Sequence, residues 1–518
     1  MHQNGQSVRK HSALSRVELF AESLNSRPGL LLVSYSIIAL VITFGVAMKR
    51  ATWYDEIFTI RLSSISSFGE LLTALRNGVD VNPPLSYMLT HAFFSAVGQS
   101  VLVSRIPAMF GFWLMGLFAY RYVSFRYTPL WGIAAALFPF ATSYYHFAAE
   151  ARPYGIVLGA SAVAMACWQS AAAGVRRNIS MFMLVLAILV IVCSHYYGLL
   201  VIIPLFVGEL TRTVLTRKVD WPVIASALLP FGAVVVFLPL IRAGIAFHGA
   251  HPWNPPTPGN LLASYTNPLS FYSNFSAQNL GVGGLTLFMV LAGGFLLAYL
   301  FESSTARSAA LPPRHEAAAA FGFLLLPIAT YLAATVKTHM YHPRYAIPIL
   351  LGYALLFGFA VAHLFGNRAI YAFTVNGILV IGFLVNTTVQ FVRLPPTIEG
   401  CPIVPTASPM ANLPVVIPSS LDYVRCDFYA SPEMKSKMVF VADPVLALHY
   451  LRGDVGDKNL MVAKDVVGLN IVRFDEFRNA YRQFLLMGTE GWVGVHYLNL
   501  GAKIELLPNG LYLVTDAR

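Results

Sequence analysis

Charge is the scarcest commodity in this chain. Only 11% of its 518 residues are Asp, Glu, Lys or Arg, while 57% are hydrophobic. Soluble domains carry about 25% charged residues, so lipid must be the solvent for most of the molecule. Acids are rarer still: residues 1–393 hold 11 Asp+Glu against 24 Lys+Arg, and the remaining residues hold 13 against 11. With so few carboxylates in the apolar part, each one near a membrane edge needs a partner or a function.

No glycine-rich nucleotide loop and no internal repeat is present, which argues against a soluble nucleotide-dependent enzyme and against a repeat-built transporter. The histidines lack the HxxxH or Cys/His spacing of a zinc site. Of 4 cysteines, Cys167 and Cys193 lie in apolar runs and read as small buried hydrophobes, whereas Cys401 and Cys426 lie in a hydrophilic tail where a disulfide can form. The basic balance does not point to nucleic acid, because the cations sit in short loops between apolar runs.

What is present is a series of about eleven apolar runs, each near the roughly 20 residues that cross a bilayer. They lie near residues 30–48, 105–121, 129–146, 153–173, 179–194, 198–211, 221–241, 282–301, 317–336, 345–364 and 369–392. The polar, basic start MHQNGQSVRKHSALSR reads as a cytoplasmic arm, since the first apolar run comes too late and is too long for a cleavable signal.

The segment 84–98 is apolar but too short to span with ease. Placed in the interface, it puts Arg121/Arg126, Arg176/Arg177, Arg212/Arg217/Lys218, Arg307/Arg314 and Arg368 on the side of the basic N-terminus, the positive-inside pattern. Residues 49–104, 147–152, 195–197, 242–281, 337–344 and the tail then share the outer face.

From about residue 394 the pattern changes to short β-like runs (LPVVIP, KMVFVAD, NLMVA, GWVGVHYLNL), a helical stretch FDEFRNAYRQFLLM and a terminal hairpin KIELLPNGLYLVTD. The expected architecture is an all-α polytopic membrane domain over 1–393 and a small soluble α/β domain over 394–518.

Asp55 and Glu56 adjoin one another just past the first span, in ATWYDEIFTIRL, and Glu150 is the next outward acid after the first loop, in YYHFAAEARPYGIVL. Two carboxylate sites on one face could orient a hydroxyl or bind a divalent cation such as Mg or Mn through Asp55 and Glu150. Cations on the outer face need a reason, and an anionic ligand is one. Arg344 and Lys337, in KTHMYHPRYAIP, could hold a phosphate. Asn82, Tyr87, Arg105, Arg152, Tyr154, His195, Tyr196, His342 and Tyr345 complete the polar set of these loops as candidate substrate contacts.

WYDE, NPPLSYML, SRIPAMFG, FAAEARPYGIVL, SHYYG and HPRYAIPIL, in that order over most of residues 30–365, resemble the GT-C membrane glycosyltransferases of the protein O-mannosyltransferase and lipid A aminoarabinose transferase type. The resemblance implies a polyprenyl-phosphate-linked sugar donor, an outward active site in the cell (inner) membrane, and a lipid, glycan or protein acceptor. It maps the catalytic carboxylate onto Asp55, its Glu neighbour onto Glu56, and the acid of the second outer loop onto Glu150. The family more usually has His before the two prolines, where this chain has Asn82. The competing reading is a polytopic transporter or lipid-linked glycan flippase without bond chemistry, which would place paired acids and cations in mid-helix.

Overall fold

The structure, a computed structural model, describes residues 16–248, 254–270, 277–301, 311–393, 410, 412–488 and 490–516. Residues 1–15 of the expected cytoplasmic arm, Arg307 and Cys401 lie outside these.

Among the described residues, nine helices are long and apolar enough to cross a membrane, beginning with Pro28–Lys49, Val101–Ser124 and Tyr154–Ala172 and ending with Ala369–Val392. Two of the eleven expected runs form shorter apolar helices, Pro129–Ala141 and Ile349–Phe365, while the short run near 198–211 lies within a 21-residue helix, Tyr196–Thr216. The exposed large hydrophobic side chains of the long helices are mostly Leu, Val, Ile, Phe and Met, with Trp221 and Tyr371 among them. Apolar surface on that scale marks a face meant for lipid.

Helices Val101–Ser124 and Tyr154–Ala172 form the central pair, and glycine lets them touch backbone to backbone. A Cβ on Gly155 would lie 2.2 Å from Ala108 O, and one on Gly159 would lie 2.4 Å from Gly111 O. Small residues at such a seam allow the close approach that drives helix packing in lipid.

The sidedness of residues 50–100 follows from one side chain. Arg105, near the start of Val101–Ser124, donates from Nη1 to Ala47 O (2.6 Å) and Arg50 O (2.8 Å) at the end of the first span. The intervening segment therefore leaves and returns at the same end. Its helix Leu85–Val97 has only 13 residues, about 20 Å at 1.5 Å per residue, which is short of the roughly 30 Å hydrocarbon core. Helices Tyr54–Ser63, Phe68–Arg76 and Leu85–Val97 fold together there, with His91 Nδ1 at 2.8 Å from Ser63 O.

At the other end of the central pair, about 28 Å along the helix axis from Arg105, a second polar group gathers the cations of the positive loops. Arg126 pairs with the fully buried Glu316, which also accepts from Gln169 Nε2 (2.8 Å); Arg177 and Arg212 both pair with Asp220. Arg126, Arg177 and Arg212 thus share one side, as the charge pattern requires.

The tail is a mixed six-stranded sheet in the order β3-β2-β1-β4-β6-β5. The strands are β1 (Val415–Val416), β2 (Met438–Ala442), β3 (Ile471–Arg473), β4 (Gln483–Met487), β5 (Lys503–Leu506) and β6 (Leu511–Thr515). β1 to β4 are parallel, while β6 runs antiparallel to β4 and β5, the latter pair being the expected hairpin. All five residues of β2 are buried, as a parallel strand covered on both faces demands.

Three expectations for the tail are corrected. NLMVA is part of helix Val455–Val467, where Asp457, Leu460 and Ala463 share a buried face at helical spacing and Gly468 stops the helix in the left-handed region. GWVGVHYLNL is helix Trp492–Asn499, and the helix Phe474–Ala480 ends early so that FLLM becomes strand β4. Short apolar runs are ambiguous between the two structures until their neighbours are known. Cys426 is buried and disulfide-bonded, while Cys167 and Cys193 are free.

Candidate functional site

Where the segment after the first span meets the turn before Tyr154, four acids and four arginines form pairs. Glu56 pairs with Arg105, Glu150 with Arg50, Asp80 with Arg152, and Asp55 with Arg344. Asp55 and Glu56 occupy the first turn of helix Tyr54–Ser63, where the amide dipoles favour negative charge. Equal numbers of the two keep the site neutral overall, the condition under which charge tolerates burial at a membrane edge.

The pairs differ in depth. Glu56 and Arg105 are both 0% exposed, and Glu56 accepts from Arg105 Nε (2.9 Å), Arg105 Nη2 (3.0 Å) and Ala151 N (2.8 Å). With both oxygens filled and no exposure, Glu56 and Arg105 tie the first span to the second and do not face a substrate. Glu150, 3% exposed, is held by Arg50 and lies 3.7 Å from His146 Nε2. Burial alone would raise the Glu150 carboxyl, but Arg50 and His146 outweigh it and hold it below the usual carboxylate range.

Asp55 is the open member. Its side chain is 19% exposed, with Arg344 at 3.0 Å and Arg152 at 4.0 Å. Arg152 reaches Asp80 Oδ2 (2.7 Å) with the same Nη1 that donates to Thr59 Oγ1 (3.2 Å). Asp80 in turn accepts from Asn82 Nδ2 (3.1 Å) and Val81 N (2.7 Å), and Tyr87 is buried beside it. Burial would raise the Asp80 carboxyl, but the Arg152 guanidinium brings it below its ordinary value.

Aromatic rings wall the arginines. The Arg344 guanidinium lies 5.3 Å from the Trp53 ring and 5.9 Å from the Tyr154 ring, within the range of cation–π attraction. His195 lies 5.7 Å from Tyr154 and 5.9 Å from Tyr345, and Tyr197 stacks on Tyr345 at 5.0 Å. Burial, reinforced by Arg152 and Arg344, lowers His195 to about 3, and burial with Arg344 lowers His342 to about 3. Both rings are neutral at physiological pH. His342 Nδ1 accepts from Arg344 N at 3.3 Å and so caps the turn that presents Arg344.

Several buried polar atoms here have no hydrogen-bond partner among the described residues: Trp53 Nε1, Arg152 Nε, Arg344 Nε and Glu150 Oε2. Each unmet buried donor costs about 1–3 kcal/mol. Three unmet N–H donors around Asp55 form a neighbourhood ready for an acceptor-rich, anionic ligand.

The structure thus gathers Asp55, Glu150, Arg152, Tyr154, His195, Arg344 and Tyr345 from loops spread over nearly 300 residues, with Asn82, Tyr87 and His342 beside them. Tyr196 is turned instead to the apolar cluster shared with the tail. Lys337 is exposed, and no hydrogen bond or ion pair ties it to this network among the described residues. Asp80, Arg50 and Trp53 were not singled out from the sequence. Asp80 sits two residues before Asn82 in VDVNPP, and its only signal was being an acid in the outer loop.

Asp55 and Glu150 do not meet as a cation site. Among the described residues no three His, Cys, Asp or Glu side chains group as a ligand set, and each of these two carboxylates faces a guanidinium. That donor set does not fit a divalent metal.

No protein-family model and no curated protein sequence matches the chain. Solved structures do. ArnT from Cupriavidus metallidurans in the apo state superposes with a TM-score of 0.52 at 14% identity, over 94% of this chain and 97% of that one. The same protein bound to undecaprenyl phosphate gives a TM-score of 0.50 at 14% identity, over 94% and 98%. An Archaeoglobus fulgidus oligosaccharyltransferase in complex with Zn and sulfate gives 0.45 at 12% identity, over 93% of this chain and 73% of that one. Over nearly all of both chains, membrane helices and tail together therefore adopt a fold like that of ArnT.

Proposed function

We propose, from this ArnT-like fold and the site it carries, that the protein is a membrane glycosyltransferase of the GT-C type that moves a sugar from a polyprenyl-phosphate-linked donor to a lipid, glycan or protein acceptor. The observation that carries the reading is the Asp55–Arg344 pair, the most open of four, ringed by unmet N–H donors at a membrane edge. An ArnT structure of this fold holds undecaprenyl phosphate, and a lipid phosphate supplies the oxygens that those donors lack.

In the proposed reaction the acceptor oxygen or nitrogen attacks the anomeric carbon of the donor sugar. Its proton passes to Asp55. The bond from the anomeric carbon to the phosphate oxygen breaks, and its electron pair leaves on the polyprenyl phosphate. A phosphate is a good leaving group, so cations suffice where another leaving group would need a general acid. The displacement inverts the anomeric centre.

Arg344, held against Trp53 and Tyr154, receives the departing charge. A donor phosphate that draws Arg344 to itself also releases Asp55 to accept the proton. Arg152, fixed by Asp80, stays beside Asp55 at 4.0 Å. Glu56 and Glu150 act through the arginines they hold in place, so each is a positioning residue here. The positive loops support a cytoplasmic basic N-terminus, with this site and the tail on the outer side of the inner membrane.

The test is transfer from a synthetic prenyl-phosphate sugar by purified protein. Asp55→Asn is expected to fold normally and to lose transfer. Full transfer by that variant removes Asp55 from the role of base.

A further inference from the structure

The helix that carries Asp55 has two faces, and only one belongs to the charge network. Asp55, Glu56 and Thr59 face the arginines of the membrane helices. Tyr54, Phe58 and Arg61, spaced i, i+4 and i+7, line the other face. That second face is covered by the tail.

The contacts are specific and polar at both ends. Tyr429 OH accepts from Thr52 N at 2.8 Å and also bonds Thr52 Oγ1. Asn459 Nδ2 donates to Tyr54 OH at 3.0 Å. Two turns further on, Arg61 pairs with Asp427 and donates from Nη1 to Val467 O at 2.6 Å. Between these, Ile57, Phe58 and Leu62 share one buried cluster with Ile417, Tyr423, Val424, Leu460 and Ala463 of the tail.

The backbone explains why the grip reaches the chemistry. Trp53 is extended, with φ −116° and ψ 174°, and in extended chain successive side chains point to opposite sides. Thr52 and Tyr54 therefore meet the tail while Trp53 turns to Arg344. Two residues on, Asp55 faces the same arginine.

We propose that the tail is a positioning part of the active site, clamping residues 52–61 through Tyr429, Asn459 and Asp427 so that Trp53 and Asp55 are held against Arg344. This rests on the reading of Asp55 as the base. The tail thereby sets the turnover of the membrane domain without touching the reacting atoms.

The experiment uses the full chain in nanodiscs and the double variant Tyr429→Phe/Asn459→Leu, which removes two hydrogen-bonding groups and keeps the apolar contact. If that variant does not fold, Tyr429→Phe alone, which deletes one oxygen, takes its place. Hydrogen–deuterium exchange over residues 51–63 is expected to rise about tenfold or more while exchange over 101–124 stays at the wild-type level. In the same preparation kcat is expected to fall about tenfold or more with the donor KM retained, because a displacement of about 1 Å in a catalytic group costs that much or more.

Unchanged exchange over 51–63 overturns the clamp, and so does faster exchange with wild-type kcat. Absence of any sugar transfer by the wild-type protein overturns the glycosyltransferase reading instead, and the exchange measurement then still decides whether the tail holds the helix.

Discussion

Arg344→Met removes the cation to which the proposed chemistry delivers the leaving phosphate. At 3.0 Å and an effective dielectric constant of about 20, its attraction to Asp55 is roughly 5 kcal/mol before desolvation is subtracted. Arg152 remains 4.0 Å from Asp55 and supplies roughly 4 kcal/mol on the same basis, so the carboxylate is not stranded and the fold should survive. The loss falls on catalysis. Removing one preorganised donor to a developing oxyanion costs about 10²–10³ in kcat. Arg344→Lys keeps the charge but loses the planar fork and its packing on Trp53 and Tyr154, so it should recover only part of that rate. The assay follows polyprenyl phosphate release by mass spectrometry, with the thermal midpoint read in parallel. A folded Arg344→Met protein turning over within about twofold of wild type would refute the role of Arg344 as the leaving-group cation.

Glu56→Gln addresses a structural carboxylate rather than a catalytic one. Leaving Arg105 buried without its partner should cost about 3–5 kcal/mol, seen as a large drop in thermal midpoint; a variant that is fully stable yet inactive would return Glu56 to the chemistry. Acid should also destabilise the protein. His195 and His342 are held at about 3 in the folded chain against an ordinary 6.5, so between those values the unfolded state binds more protons. Stability from these two groups is therefore fully present above about pH 6.5 and falls as pH drops below it, by on the order of 1–2 kcal/mol per histidine at pH 5. The depressed Asp80 and Glu150 lose stability in the same direction at lower pH, so the double variant His195→Gln/His342→Gln isolates the histidines. Its thermal midpoint should fall less than that of the wild type between pH 7.5 and 5, and equal falls would refute the assignment.

The sequence alone determined that the chain lives in lipid, because a run of about 20 apolar residues has no other stable environment. It also determined which polar motifs share a face, because loops rich in Lys and Arg sort to one side and leave Asp55, Glu150, His195 and Arg344 on the other. The terminal hairpin and β2 were legible for a similar local reason, a tight turn between alternating residues and a short continuous apolar run. The partners of the charges were not legible. Glu56 meets Arg105 and Asp55 meets Arg344 across 49 and 289 residues of chain, and nothing local distinguishes those pairings from others.

The packing of Gly155 and Gly159 against Ala108 and Gly111 sets Arg105 near Ala151, where both bond Glu56, and only the tertiary structure brings Arg344 to Asp55. Depth was likewise a tertiary matter. Asp55 and Glu56 are adjacent and chemically alike, yet one is open and the other sealed, because successive helix positions are about 100° apart and only one of them points into the seam. The tail helices Val455–Val467 and Trp492–Asn499 were ambiguous because short apolar runs accept either backbone. The sheet decided the second, and the sheet with the Asp55 helix decided the first.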